Sequence, residues 1–323
     1  MVDKLVLAAG SGQSKDTVLR NISPAPPNGP EHDLVADGDF ILHDGNTRSS
    51  ITKTFTVEAD VDVQVTVYGG CGGGPGFDGG FPGSGFKGGG RGGNNRGEYT
   101  LTENVTYVCH VGGGGETSVA GNPSPGGGGA SAFTLAPAPG GQELLVAGGG
   151  GGGFFLGGHG SGGPEGLAGG RTPNALRVNP MFGGGASGGS GGVAGTGPRR
   201  NGGSGGPAPR GQGADGSPGT QPTGNGQGGE SGYARGGHGN TVPGDNGSGT
   251  GGGGYAGGGG GGGDSGGAGG GGGNGFTHPT IRNPENGQGE TFAGDSPNFG
   301  GYSPYPDTAG QAEGQGAIII RLA

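Results

Sequence analysis

Alternating apolar and polar residues mark the clearest predicted strand of this chain. Four valines, Val61, Val63, Val65 and Val67, alternate with Asp62, Gln64, Thr66 and Tyr68. Successive side chains of a strand point to opposite faces, so this alternation predicts a half-buried strand. Comparable patterns predict strands at 51–57, 97–101, 105–111, 132–135, 143–147 and 317–322. Seven or so short strands favour an all-β fold, a small antiparallel β-sandwich.

Two of the predicted strands place their apolar residues on one face. Alternate positions of the strand 105–111 hold Val105, Tyr107, Cys109 and Val111. The last strand places Ile318 and Ile320 together in the same way. These faces are the predicted contribution of both strands to the core.

Residues 1–48 differ in pattern from the rest of the chain. The stretches 2–9 and 33–43 each predict a short strand. Prolines between positions 24 and 30 force the connection between them to be extended and non-helical. We predict an N-terminal attachment arm in 1–48 and a separate domain in 49–323. The alternative is a plain strand pair added to the main domain.

Glycine dominates the main domain. The chain has 101 glycines among 323 residues, concentrated in the tracts 147–158 and 251–275. Ordering that many glycines costs on the order of 100 kcal/mol of backbone entropy, comparable to the whole conformational term of a small domain. Backbone hydrogen bonds, at about 1 kcal/mol each, offset this only if nearly every amide is paired. The composition therefore allows either a disordered chain or an ordered glycine lattice.

The ordered alternative is a bundle of extended, polyproline II-like helices with three residues per turn. Glycine is required in such a bundle because a Cβ atom would hold neighbouring chains apart. We predict a β framework in 51–147 and 317–323 and a polyglycine-helix body in 148–275. Valine within 257–263 should then destabilise the fold far more than valine at Gly216 or Gly226.

The segment 276–313 has few long glycine runs and instead combines aromatic residues with prolines. This composition predicts an aromatic, loop-rich excursion before the closing strand. Aromatic residues recur among prolines here, namely Phe276, Phe292, Phe299, Tyr302 and Tyr305. Rings on loops held by a rigid base provide contact area at a low entropy cost. The candidate receptor-binding residues are therefore Phe292, Phe299, Tyr302 and Tyr305. The alternative is that these rings cap the ends of the glycine helices.

Catalytic and metal-binding chemistry has little support in the sequence. The six histidines are scattered without the spacing of metal ligands, and no nucleophile–base or paired-carboxylate arrangement is recognisable. We therefore predict a protein that is not an enzyme and needs no cofactor or metal. For Cys71 and Cys109 the expectation is two small apolar residues packed near each other, with a single disulfide as the alternative.

Nucleic-acid and membrane partners are not expected either. The stretch 83–88 has the G-x-G-x-x-G spelling, which is expected by chance at this glycine content and has no following helix. Arg91-Gly-Gly93 and Arg235-Gly-Gly237 resemble RNA-binding segments, but 16 basic residues face 25 acidic ones. The apolar runs are too short for a signal peptide or a membrane span, so neither is expected.

Several motifs follow one another along the chain. They are Thr54-Phe-Thr-Val57 with the valine strand running into Gly69-Gly-Cys-Gly-Gly-Gly74, Tyr107-Val-Cys-His-Val-Gly-Gly-Gly-Gly115, Ala130-Ser-Ala-Phe133, Leu144-Leu-Val-Ala-Gly-Gly-Gly-Gly151 and Gly316-Ala-Ile-Ile-Ile320. Their order resembles a widespread glycine-rich domain family that is common in bacteriophage tail-fibre and other virion surface proteins. The motif that begins at Leu144 is also similar to the glycine-rich region of anaplastic lymphoma kinase, although the receptor's cysteine pairs are absent. The likeness covers roughly 50–323 and implies a sandwich with packed polyglycine helices and an adhesive or structural role.

This resemblance leads to a functional expectation. The chain should be a virion structural protein, a tail-fibre or spike tip adhesin that binds a protein or glycan receptor on the host surface. The alternative is a decoration or fibre subunit that contacts only virion proteins. The expected partners are other virion proteins, through 1–48, and further copies of the chain in a homo-oligomer such as a trimer. The expected location is the outer surface of the virus particle.

Overall fold

A computed structural model describes part of the chain in detail. The described residues are 3–4, 32–36, 39–43, 50–57, 59–74, 89–115, 126–136, 141–153, 163, 190, 249–261, 270–288, 292, 295 and 314–323. They form twelve strands: β1 (Asp3–Lys4), β2 (His32–Ala36), β3 (Asp39–His43), β4 (Ile51–Thr56), β5 (Val61–Tyr68), β6 (Gly93–Leu101), β7 (Thr106–Val111), β8 (Ser131–Leu135), β9 (Glu143–Ala147), β10 (Phe276–Thr277), β11 (Arg282–Gln288) and β12 (Ala317–Leu322).

These strands form two six-stranded sheets. The first has the order β1-β4-β7-β8-β9-β10, and the second has the order β11-β6-β5-β12-β3-β2. Neighbouring strands are antiparallel except β1 and β4, which are parallel. The predicted all-β fold class is confirmed, with more strands than the seven expected from the sequence.

The core lies between the sheets and follows the alternation of the sequence. The inward residues of β5 are almost fully buried, while Asp62 on the same strand is exposed. The rings of Phe55, Tyr107 and Phe133 pack against one another, with centroids 5.6 Å apart in the two pairs that include Tyr107 and 6.4 Å apart in the third pair. The predicted faces of β7 and β12 are confirmed, since their core members are Tyr107, Cys109, Val111, Ile318 and Ile320.

The glycine runs form a lattice that continues the sheets beyond one end, here called the lattice end. At this end the β5–β6 ladder finishes with Tyr68 opposite Asn94. The next residue, Gly69, continues the pairing by donating a hydrogen bond of 2.9 Å from its N–H to the carbonyl of Gly93. Outgoing segments lead away from the sheets and incoming segments lead back. The outgoing segments are 69–74, 112–115, 148–153 and 257–261, and the incoming ones are 89–93, 126–129, 249–254, 270–273 and 314–316.

Hydrogen bonds in the lattice repeat every third residue. Gly69 and Gly72 both donate to the segment 89–93, whereas Gly70 and Gly73 both donate to the segment 126–129. In a β-strand the bonding direction would alternate with period two instead. A repeat of three is the geometry of the polyproline II helix, so the packed polyglycine helices of the predicted fold are present.

The segment 148–153 shows why these positions hold glycine. It exchanges backbone hydrogen bonds with the segments 69–74, 89–93, 126–129, 249–254 and 270–273 around it. A Cβ atom at Gly150 would overlap the carbonyl oxygen of Gly90, and one at Gly149 would overlap that of Gly128. No side chain fits at these two positions, because the backbones of neighbouring helices are in contact there.

The position of the lattice in the chain differs from the prediction. The expected polyglycine body was a single block in 148–275, beside a β framework in 51–147. The lattice also takes segments from within that framework, namely 69–74, 89–93, 112–115 and 126–129, and the segment 314–316 before the last strand. Four strand connections therefore contribute to it, namely β5–β6, β7–β8, β9–β10 and β11–β12. Gly216 and Gly226 lie outside the described residues.

Polar side chains satisfy backbone groups at the margins of the lattice. Asn95 on β6 reaches the opposite sheet and donates to the carbonyl of Phe276, 2.9 Å, and to Thr277 Oγ1, 2.8 Å. Ser131 Oγ accepts a bond of 2.9 Å from Gly112 N, and Thr250 Oγ1 accepts one from Gly127 N. These side chains take the place of glycine-helix neighbours that the lattice lacks at its border.

Residues of the N-terminal 48 also join the sheets. The stretch predicted as one strand at 33–43 is a hairpin, in which β2 and β3 pair around residues 37–38. An Asp-Gly pair at that position is a strong turn signal, which explains the difference. β3 pairs with β12, and β1 pairs with β4. This pairing agrees with the alternative of a strand pair added to the main domain; a domain boundary at 48 remains a prediction.

The region predicted as an aromatic loop excursion begins with regular structure. Residues 276–288 contain β10 and β11, which pair with β9 and β6. β11 has a register shift after Arg282, and Asn283 adopts a φ of 46° there. Its sequence, RNPENGQ, has no apolar alternation because the strand lies at an exposed edge.

Candidate functional site

The outer face of the second sheet carries the part of the aromatic segment that the structure describes. Along β5 and β12, side chains alternate between the core and the outer face of the sheet. The valines of β5 and Ile318 and Ile320 of β12 point into the core, so Thr66, Tyr68, Ile319 and Arg321 lie on the outer face. Arg96 on β6 pairs with Thr66 in the ladder and donates from Nε to its hydroxyl, 3.1 Å. These strands therefore bring two arginines and a tyrosine to one surface.

Asp295 neutralises part of this surface. Its carboxylate is completely buried and accepts hydrogen bonds from Arg96 Nη2 at 2.6 Å, from Arg321 and from the hydroxyl of Tyr68. Burial raises the pKa of Tyr68, and the negative charge of Asp295 raises it further. The tyrosine thus remains a neutral donor, and a short polar network holds position 295 against the sheet.

Phe292 lies on the same surface. The guanidinium carbon of Arg96 is 4.3 Å from the centroid of its ring, and the ring of Tyr68 is 6.3 Å away. Its backbone N–H donates to the Tyr68 hydroxyl, 3.2 Å. The partly buried ring packs on a small cluster formed by Tyr68, Cys71, Ala317 and Ile319. The observed contacts of this predicted receptor-binding residue are therefore contacts with its own sheet.

The other three predicted receptor-binding residues, Phe299, Tyr302 and Tyr305, lie outside the described residues. Their role in receptor binding, and that of Phe292, remain predictions. Sequence reasoning missed Arg96, Asp295 and Arg321. The one available signal was the charge of Arg321 in an otherwise apolar strand, because a charge on a strand that is covered on both faces needs a partner.

The lattice end is where long connecting segments join the described structure. Outgoing segments end at Gly74, Gly115, Gly153 and Gly261. β11 ends at Gln288, which pairs with Gly93 at the start of the lattice. The connections 75–88, 116–125, 154–248, 262–269 and 289–313 therefore all begin on the same side of the sandwich. Ala323, at the end of β12, bonds to Asp62 on the opposite side.

A second group of rings lies where the lattice meets the first sheet. Tyr255, in the turn between two glycine segments, stacks on Phe276 with centroids 4.3 Å apart, and His278 meets the edge of Phe276. Tyr255 and Phe276 pack against Ala130, Ala132 and Val146. The rings therefore close the junction between the lattice and the first sheet.

Cys71 and Cys109 are both buried and are not joined by a disulfide. They belong to separate clusters and do not pack together as expected, because Cys71 lies in the cluster under Phe292 and Cys109 lies in the main core. Burial raises the pKa of Cys71 to about 11 and that of Cys109 to about 12. Both thiols therefore stay protonated at neutral pH and are poor nucleophiles and poor metal ligands.

The described residues contain neither a metal-binding cluster nor a membrane-spanning helix. They contain no cluster of three or more His, Cys, Asp or Glu side chains that could hold a metal ion. They also contain no helix with the length and apolar character needed to cross a membrane. The chain matches no model of a known protein family, and a search of curated proteins finds no significant relative.

Proposed function

We propose that this chain is a structural protein of a virus particle, a tail-fibre or spike tip adhesin that binds the host cell surface. The observation that carries the proposal is the common direction of the glycine segments. A lattice closed by backbone hydrogen bonds offers few side chains for recognition, but it holds the starting points of several long connections on one side. Binding proteins commonly present variable loops on such a rigid base.

The motif order of residues 50–323 is the second support, through its resemblance to glycine-rich virion surface domains. Within the connections, the densest aromatic stretch is the one between Gln288 and Gly314, which holds Phe299, Tyr302 and Tyr305. Phe292 and Asp295 anchor the beginning of this stretch on the sheet. Anchoring reduces the entropy lost when the following residues bind a receptor.

The second candidate function is a decoration or fibre subunit that contacts only virion proteins. Phe292 favours this candidate, because one of the four rings expected to contact a receptor is engaged with Arg96 and Tyr68 of its own chain. If the remaining rings pack in the same way, the segment has a structural role.

The test compares the wild-type chain with the double variant Tyr302→Ser/Tyr305→Ser. Fluorescently labelled full-length protein is applied to a panel of bacterial strains, and Tm is measured for each variant. An adhesin binds at least one strain, and the double variant loses binding with Tm unchanged. The Phe292→Ala variant is the control, since its loss of packing should lower Tm.

Two outcomes would contradict the adhesin. The first is a lowered Tm with binding retained in the double variant, which assigns the tyrosines to packing. The second is the absence of binding to every strain together with tight binding to purified particles that lack this chain. That second result would support the decoration subunit.

A further inference from the structure

The last strand, β12, lies between two neighbours of different kinds. On one side it pairs with β5 along its whole length, from Ala317 opposite Tyr68 to Leu322 opposite Val63. On the other side it pairs only with β3, through the positions 318–320 opposite 40–42. Without β3, the strand β12 would be the edge of the sheet.

An open edge at β12 would be prone to pair with strands of other molecules. It consists of Ile318, Ile319 and Ile320, which are almost fully buried, and Arg321 is its only charge. Edges that natural proteins leave open are usually short, charged, bulged or interrupted by proline, as β11 is. Three consecutive isoleucines have none of these features, so this edge requires an occupant.

Within the chain, the β2–β3 hairpin occupies this edge and is held there by one ladder. β2 pairs with β3 and with no other strand of the described structure, and β3 adds only the ladder to β12. The hairpin connects to the sandwich through residues 44–50, which lead from His43 at the lattice end of one sheet to Ile51 at the lattice end of the other. All of its described strand pairing to the rest of the fold thus passes through a single strand edge.

We propose that the edge of β12 is a strand-acceptor site, and that in the assembled particle its occupant is the β2–β3 hairpin of a second copy of this chain. A hairpin delivered by a neighbour makes the same ladder as the chain's own hairpin, so exchange costs little once the local concentration of copies is high. Each copy gives one hairpin and accepts one, which links the copies without a new interface.

This inference rests on the proposed role in a virus particle, but not on receptor binding, because any multimeric virion protein could use such a linkage. It gives a physical mechanism for the predicted homo-oligomer and for the predicted attachment role of residues 1–48. The linking chemistry is main-chain hydrogen bonding, with Phe40, Ile41 and Leu42 at the positions opposite Ile320, Ile319 and Ile318.

The test uses full-length chains that each carry one new cysteine. Leu42→Cys protein is mixed with Ile318→Cys protein, and Ile41→Cys protein with Ile319→Cys protein. Both pairs are tested because paired positions of an antiparallel ladder alternate between two spacings, and a disulfide fits the closer one. After incubation at high concentration and mild oxidation, exchange predicts a disulfide-linked dimer in at least one mixture.

Matched controls give the register. A mixture of Phe40→Cys and Ile318→Cys proteins is two residues out of register, so its yield of cross-linked dimer should be at least tenfold lower. If the in-register mixtures stay monomeric at every concentration, while the double variant Leu42→Cys/Ile318→Cys closes within one chain, the hairpin is fixed in its own chain and the proposal is wrong.

A peptide measurement keeps the test valid if the cysteine variants fail to fold. A labelled peptide of residues 32–43 is incubated with wild-type full-length protein and followed by size-exclusion chromatography. Co-elution of this peptide, with at least tenfold less of an Ile41→Pro peptide, supports a strand-acceptor site because proline removes a ladder donor. No co-elution of either peptide at millimolar concentration would contradict it.

Discussion

Gly252 and Gly253 are adjacent in one glycine segment, yet only Gly252 touches its neighbour so closely that no Cβ atom fits. A Cβ atom at Gly252 would overlap the carbonyl oxygen of Gly149, whereas at Gly253 the nearest atom, Ala130 N, would be 3.3 Å away. The tolerance of the lattice for side chains therefore varies from one residue to the next, because successive residues of a three-fold helix point to different neighbours.

We expect Gly252→Ala to lower the free energy of unfolding by about 3 kcal/mol, because the methyl group must push two backbones apart. The free energy of unfolding of Gly253→Ala should stay within about 1 kcal/mol of the wild-type value. Denaturant unfolding followed by circular dichroism measures both. Equal, small changes at both positions would mean that the lattice does not hold these segments in contact. Valine at Gly258, which faces the carbonyl of Gly271, should be as damaging as Gly252→Ala.

Two aspartate–arginine pairs of nearly equal length allow a direct comparison of buried and exposed charge. Asp295 lies 2.6 Å from Arg96 and is fully buried, while Asp62 lies 2.7 Å from Arg282 with both side chains about half exposed. Asp295→Asn should lower the free energy of unfolding by about 3 kcal/mol, because Arg96 and Arg321 lose their buried counter-charge.

The matched variant Asp62→Asn should have a much smaller effect. A hydrogen bond from Thr100 and then the Arg282 guanidinium lower the pKa of Asp62, but water screens this pair. Thermal unfolding of both variants decides the matter. A Tm for Asp295→Asn as high as that for Asp62→Asn would show that the anchoring of position 295 contributes nothing to the fold.

Cys71 should make stability sensitive to alkaline pH. Its pKa is about 11 in the folded chain against an ordinary value of 9.0, because burial disfavours the thiolate. The folded state therefore keeps a proton that the unfolded state loses above pH 9. The resulting stabilisation is complete below pH 9 and is lost as the pH rises through about 11.

The comparison that isolates this thiol is the wild type against Cys71→Ala, measured by denaturant unfolding from pH 8 to pH 11. Over this range the free energy of unfolding of the wild type should fall by about 2 kcal/mol more than that of the variant. Parallel curves for the two proteins would contradict the burial of the thiol. Cys109→Ala provides an independent comparison, since burial raises the pKa of Cys109 to about 12.

Deleting residues 1–48 tests whether the N-terminal segment is separable. A separate N-terminal arm would leave a soluble, folded remainder, whereas the pairing of β3 with β12 predicts a different result. We expect the truncated chain to self-associate through the exposed isoleucine edge of β12. A chain that lacks only residues 1–30 keeps the β2–β3 hairpin and should remain as soluble as the full-length protein.

Light scattering after size-exclusion chromatography measures the mass of both truncated proteins. A monomeric, cooperatively unfolding chain that lacks 1–48 would restore the original interpretation of a detachable arm. Self-association of both truncated chains to the same extent would instead assign the effect to the loss of β1, which pairs with β4.

Three features of the fold could not be, or were not, predicted from the sequence. Asp295 and Arg96 are 199 positions apart, and no local pattern connects them. β11 was missed because an exposed edge strand has no apolar face to produce alternation. The β2–β3 hairpin was predicted as one strand, although its Asp-Gly turn was visible in the sequence.

The sequence by itself determined the all-β class, the core-facing positions of strands such as β5 and β12, and the choice of glycine tracts between a disordered chain and a lattice paired through its backbone. Those features follow from local rules, since alternation fixes which face is buried and glycine content excludes an ordinary core. The tertiary structure decided which glycine segments are neighbours, which side chains cover the outer face of the second sheet, and which strand closes the edge of β12. Such choices depend on contacts between distant parts of the chain, whose energies no local pattern of residues encodes.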